Sequence, residues 1–140
     1  MAGSLNIKPK YVLLCDDIRT EVSGKLILIG VYSGDILAAN FPLRMKLTTY
    51  VAADMLQPGS GTLSIEINIA PDDGSEGQVH VLEAEMEVGT GPSEGGFPMP
   101  AVPIAVPGPA ALTIRWKLND SDWAKIASKR IDAHRPPQTE

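Results

Sequence analysis

The sequence predicts an all-β protein, a single-domain antiparallel β-sandwich of seven or eight strands, with a small β-barrel as the alternative. Three observations carry that expectation. Apolar and polar residues alternate over strand-length segments, most clearly Leu63, Ile65, Ile67 and Ile69 against Ser64, Glu66 and Asn68, the pattern of a strand with one buried face. Gly and Pro supply 13 and 12 of the 140 residues, and turn signals recur about every ten residues, as in a sandwich of short strands. No segment reads as a convincing long helix. A chain of this length buries roughly two thirds of its unfolded surface in one core. Residues 11–132 are therefore read as one domain, with 1–10 a loose lead-in and 133–140 a flexible tail.

The first elements lie in Tyr11–Tyr32, where apolar runs at 11–15 and 26–32 flank Asp16, Asp17, Arg19, Glu21 and Gly24. This reads as a hairpin with a charged end. Ser23-Gly24 supplies the reversal, and Gly30 marks a bulge or a close backbone approach. Ser33-Gly34-Asp35 turns the chain into a strand at 41–51, with Leu43, Met45, Leu47 and Thr49 on one face, and 54–61 reads as a loop. The alternating strand at 63–69 ends in Pro71-Asp72-Asp73-Gly74; in the next, Leu82, Ala84, Met86 and Val88 oppose Glu83, Glu85 and Glu87. Prolines crowd residues 89–109, and each removes a ladder donor. Residues 89–100 thus read as a long loop, and 101–106 as an edge strand burying Val102, Ile104 and Val106. Leu112, Ile114, Trp116 and Leu118 form a further strand, and 119–122 turns the chain. Residues 123–131 fit a helix behind an Asp120 or Ser121 cap or a return strand, the strand being preferred.

The words CDDIR at 15–19, then Glu21, Gly24-Lys25 and LILIGVYSGDI at 26–36 resemble a family of small, uncharacterised bacterial proteins. Its members begin with a strand, an Asp-Asp-Ile/Val-Arg element and a Gly-Lys-Leu-Ile-Leu-Ile-Gly-Val-Tyr-like strand, and the resemblance spans about residues 11–45. It implies a bacterial or phage-related source and a β-rich fold. Asp16, Asp17, Arg19 and Glu21 match the pattern, which carries no reaction and no role for them.

Composition removes several function classes. The formal charge of −5 arises from 17 acidic and 12 basic residues, and the basic ones are scattered, so no footprint for nucleic acid or anionic membrane is present. The single cysteine, Cys15, excludes an intrachain disulfide and a Cys-rich zinc site. No apolar run reaches the roughly 18 residues that span a bilayer, and MAGSLNIKPK lacks a signal-peptide core, so a cytoplasmic location is expected. Catalytic groups are scarce: His80 is in phase with the apolar face of its strand, and Cys15 with His80 is the one Cys and His pair worth naming. There is no GxSxG, HExxH or phosphate-cradling loop.

Two sites remain. If successive strands alternate in direction, Asp16, Asp17, Asp54, Asp120 and Asp122 emerge at one end of the sandwich, where loop carboxylates could hold Ca²⁺ or another divalent cation. The competing and favoured reading is structural: Asp16 or Asp17 caps the turn while Arg19 pairs with Asp17 or Glu21. Glu83, Glu85 and Glu87, and the basic pairs Arg44 with Lys46 and Arg115 with Lys117, are read as cross-strand ion pairing on solvated faces. The second site is apolar. Val12 to Leu14 and Leu26 to Ile29 are apolar at consecutive positions, so one side of each faces away from a single core. Leaving four such side chains in water forgoes about 6–12 kcal/mol relative to full burial. Cover would come from the Pro-rich segment 97–107, from the last element, or from a second copy or another protein through Val12, Leu14, Ile27 and Ile29. The function expected is a non-catalytic protein-binding, scaffold or assembly module without a cofactor, with divalent-metal binding as the alternative and an enzyme behind it.

Overall fold

Two layers of strands enclose one apolar core, in a computed structural model that describes residues 6–89 and 94–134. The described residues form eleven strands and no helix, and none of them makes a helix long and apolar enough to cross a membrane. The alternating segment at 63–69 becomes the middle of the larger layer. There β6 (Gly59–Pro71) pairs with β7 (Gln78–Val88) on one edge and β10 (Ala110–Leu118) on the other; β11 (Ala124–Ala133) and β4 (Ile36–Ala38) extend the sheet to the order β4-β11-β10-β6-β7. All its pairings are antiparallel except β4 with β11, which runs parallel from Ile36↔Ile131. Leu63, Ile65, Ile67 and Ile69, with Leu112 and Ile114 of β10, are at most 1% exposed.

The smaller layer is built on β5 (Leu43–Gln57). One edge pairs with β1 (Asn6–Cys15); the other pairs in succession with β8 (Glu94–Pro98) and β9 (Val102–Val106). Met99 N–H donates to the Thr49 carbonyl at 2.9 Å between the two, so β8 and β9 act as one interrupted strand. Ile7, Leu14, Leu47, Val51, Val102, Ile104 and Val106 face the large sheet and join its residues in the core. Each such side chain stabilises the fold by about 1.5–3 kcal/mol. A separate two-stranded ribbon, β2 (Asp17–Thr20) with β3 (Leu26–Ile29), completes the molecule.

The antiparallel sandwich is as expected, and the return strand at 123–131 and the edge strand at 102–106 are in place; several local expectations are corrected. The apolar runs 11–15 and 26–32 form no ladder with each other beyond one backbone bond, Tyr32 N–H to the Leu14 carbonyl: Cys15 lies opposite Thr48 of β5, and the polar segment Asp17–Thr20 is itself the strand that pairs with Leu26–Ile29. Burial of Ile7 and Leu14 in the small layer requires a neighbour within that layer, and β5 provides it. Residues 6–10 are the first half of β1, with Ile7 4% exposed, so the lead-in ends earlier. The expected loop at 54–61 is nearly all strand, with Pro58 alone between β5 and β6. Within 89–100, Glu94–Pro98 is strand despite its glycines, because a Cβ on Gly96 would lie 1.7 Å from the Tyr50 hydroxyl of β5. The aromatic ring takes the space a side chain would fill. The strand count rises above seven or eight because β2, β3, β4 and β8 are each only three to five residues long, and β4 and β8 also have distant partners. Residues 1–5, the middle of the expected loop at 90–93, and the tail at 135–140 lie outside the described residues; β11 itself runs on through Ala133.

Candidate functional site: the ribbon and its anchor

The ribbon pairs Asp17↔Ile29, Ile18↔Leu28, Arg19↔Ile27 and Thr20↔Leu26. It reverses through Gly24, at φ 90°, whose N–H donates to the Glu21 carbonyl at 2.9 Å while Glu21 N–H donates to Lys25 at 2.8 Å. Residues directly opposite share a face. One face therefore carries Asp17, Arg19, Ile27 and Ile29, and the other carries Ile18, Thr20, Leu26 and Leu28. Ile27 and Ile29 are 42% and 38% exposed, and Val31 just beyond them 43%. The segments expected to supply cover are committed elsewhere: 97–107 pairs along β5, and the last strand pairs with β10 and β4. The four residues expected to form an interface thus divide. Leu14 is buried and Val12 packs against the core, whereas Ile27 and Ile29 face outward.

Asp16 anchors the ribbon to the sandwich. Its N–H donates to the Ile29 carbonyl at 2.9 Å, and Tyr32 N–H donates to the Leu14 carbonyl at 2.8 Å. The Tyr32 hydroxyl donates to Asp16 Oδ1 at 2.7 Å, and Thr48 Oγ1 donates to the Asp16 carbonyl at 3.3 Å. Gly30, at φ 68°, leaves the room this requires: a Cβ there would lie 2.2 Å from Asp16 Oδ2. The close approach expected at Gly30 is therefore the Asp16 carboxylate. Burial first, then the hydrogen bond to Asp16, pushes the Tyr32 hydroxyl up to about 12 from its ordinary 10.0. The unfolded chain releases this proton first, so the stability involved is whole below about pH 10 and is lost as pH rises through 10 to 12. Asp16→Asn is expected to move the ultraviolet tyrosinate titration of Tyr32 downward. An unmoved Tyr32 titration would count against the Asp16 contact.

Asp17 Oδ1 accepts Ile18 N–H at 2.9 Å, and Arg19 Nε meets Asp17 Oδ2 at 3.2 Å. Both side chains are more than half exposed, so the pair contributes about 0–1 kcal/mol. Glu21 instead accepts the Ser23 hydroxyl at 3.4 Å.

The five aspartates do not gather. Because β1 and β5 run antiparallel, the end of β1 lies opposite Thr48 while Asp54 sits opposite Lys8 near its start, about 20 Å along the strand. Asp120 and Asp122 occupy the turn between β10 and β11, which Asn119 ties to Thr62. Among the described residues no group of three His, Cys, Asp or Glu side chains could hold a metal ion. Cys15 and His80 are also apart, in different layers: β1 runs beside β11, whereas β7 lies beside β9, with the Gln78 amide donating to the Ala105 carbonyl. Cys15 is fully buried, its thiol donates to the Thr48 carbonyl at 3.7 Å, and burial is the main cause of its raised pKa.

One polar pair escaped sequence reading. Arg115 forks onto Glu66 at 2.8 and 2.7 Å on the outer face of the large sheet, and the Glu66 side chain is only 8% exposed. Both residues occupy polar positions of alternating strands. The register Arg115↔Glu66, rather than any local signal, joins them, so Arg115 pairs with Glu66 and not with the glutamate stripe of β7.

Fold and anchor define an all-β sandwich bearing a separate, anchored β-ribbon. The chain belongs to DUF6941, a family of unknown function, whose model matches residues 10–116. That span takes in the ribbon, its Asp16 and Tyr32 anchor and most of both layers. No curated protein matches the chain.

Proposed function

We propose that this chain is a non-catalytic binding or assembly module that engages a protein partner, or a second copy of itself, through the β2–β3 ribbon. The carrying observation is the exposure of Ile27 and Ile29, 42% and 38%, on a ribbon that neither the Pro-rich segment nor the last strand covers. Clustered apolar side chains held in water by a fixed anchor are the usual mark of a contact surface. A two-stranded ribbon adds open edges to which a further strand can pair. A stable interface buries at least about 1,000 Å² in total, so the ribbon would engage together with the sandwich end that bears it. The bacterial or phage-related source and the cytoplasmic setting expected from the sequence belong to the same proposal.

The test combines light scattering with affinity capture from the source cell, comparing the natural chain with the double variant Ile27→Asp, Ile29→Asp. The natural chain is expected to self-associate or to retain a partner, and the variant to do neither. Its melting temperature should change little, since exposed substitutions stay within about 0.5 kcal/mol. A strictly monomeric natural chain that captures the same proteins as the variant would overturn the proposal.

A further inference from the structure

The outer face of the large sheet holds a polar slot of about 280 Å³, remote from the ribbon and lined by Thr62, Ser64, Glu83, Lys117, Asn119 and Asp120. Its floor and walls follow from strand register. Ser64 lies on β6 directly between Lys117 of β10 and Glu83 of β7, so the two charged residues are rooted about 10 Å apart. A small residue between two long ones leaves a trough. Ser64 is 2% exposed, and among the described residues its hydroxyl bonds to no other side chain.

The Lys117 wall is held back from closing the trough. The Lys117 ammonium sits 4.9 Å from the centroid of the Trp123 ring, a cation–π contact that draws it away from Glu83. Arg115, the other cation near that ring, is committed to Glu66. Thr62 Oγ1 donates to Glu85 at 2.7 Å, which keeps that carboxylate occupied. Among the described residues no ion pair joins Lys117 to Glu83 or to Asp120. The end of the slot is fixed by Asn119 at φ 51°. Its N–H donates to the Thr62 carbonyl at 2.8 Å, and its Oδ1 accepts Thr62 N–H at 2.9 Å, which pins the turn carrying Asp120 to β6.

The charges restrict the ligand. An anion would meet Glu83 and Asp120; a cation would meet Lys117. A molecule bearing both an ammonium and a carboxylate satisfies every wall. We propose that the slot binds a small zwitterion of the amino-acid or short-peptide class, its carboxylate on Lys117 and its ammonium on Glu83 and Asp120. Lys117, held against Trp123, and the turn pinned by Asn119 are placed before binding, which limits the side-chain entropy lost there on association. The slot is open to solvent, which places the affinity near a Kd of about 1 mM.

Glycylglycine is the probe, titrated into the full chain and followed through backbone amide chemical shifts. Saturable shifts are expected at residues 62–64, 83 and 117–120. N-acetylglycylglycine, which lacks the cation, and glycylglycinamide, which lacks the carboxylate, should each bind about tenfold more weakly, the loss of one charge-assisted hydrogen bond. Lys117→Met and Glu83→Gln should weaken glycylglycine by a similar factor without lowering the melting temperature. Absence of saturable shifts at these positions, or capped analogues that bind as well as the free dipeptide, would overturn the proposal. The capped analogues act on the natural chain, so this outcome does not depend on how either variant folds.

Discussion

Ile67→Ala is expected to lower the free energy of unfolding by about 2–5 kcal/mol. Ile67 is fully buried on β6 between Ile114 of β10 and His80 of β7. The neighbouring strands are fixed by their ladders and cannot collapse into the space left, so the lost transfer free energy is joined by a cavity. Against a total of about 5–15 kcal/mol for an ordinary domain, that loss is a large fraction of the stability. Urea unfolding should show a lower midpoint at an unchanged slope. Val81→Ala supplies the contrast: Val81 belongs to the same sheet but is 52% exposed on the outer face, and its removal should change stability by less than about 0.5 kcal/mol. Equal losses for the two would contradict the assignment of inner and outer faces.

Gly30→Ala is expected to destabilise by about 2–4 kcal/mol, by two separable routes. The φ of 68° is unfavourable for any residue with a Cβ. That Cβ would also lie 2.2 Å from Asp16 Oδ2, so the carboxylate must swing away from the Tyr32 hydroxyl and lose a hydrogen bond to a charged acceptor. Two readouts distinguish this from a general loss of structure. The Tyr32 titration should return from about 12 toward 10.0. Amide exchange should quicken in β2 and β3 while β6 and β10 keep their protection, since a ribbon held by few contacts opens apart from the core. Tyr32→Phe removes the same hydrogen bond without backbone strain and should give the smaller part of the loss. If the exchange of β6 quickens as much as that of β3, the ribbon is not a separately anchored unit.

What could be read from the sequence was whatever depends on near neighbours along the chain. Leu63 to Ile69 announce a half-buried strand because period two is local, and Pro71 to Gly74 announce a reversal because the turn is made of its own residues; Gly74 N–H donates to the Pro71 carbonyl at 3.3 Å. Partner choice is not local. The apolar run at 11–15 looks as if it belongs with 26–32, yet its partner is β5, and this single exchange reverses the end at which Asp54 emerges and disperses the carboxylates. Glu66 falls on the polar face of its alternating strand, but its burial depends on Arg115, 49 residues away. Residues 89–100 read as loop because their prolines remove ladder donors; the strand at Glu94–Pro98 lies at the sheet edge against Tyr50–Asp54, where one terminal proline is tolerated. Exposure of Ile27 and Ile29 was legible as a question, since the run is apolar on both sides, while the answer required knowing where residues 97–107 and 124–133 go.

The parallel pairing of β4 with β11 ties the first third of the chain to its last strand, Ile36 to Ile131, with Asp35 accepting the N–H of Arg130 across 95 residues. As the chain leaves a ribosome, β6 and β7 can zip together at once, but β4 has no partner until residues 131–133 have been made. A loop this long is slow to close, and domains dominated by such contacts fold in milliseconds to seconds. During that interval Leu26 to Ile29 are already synthesised, and β11, the strand that β4 awaits, is not. A nascent chain with this order is exposed to encounters with other chains at the same residues that the finished protein presents to its surroundings.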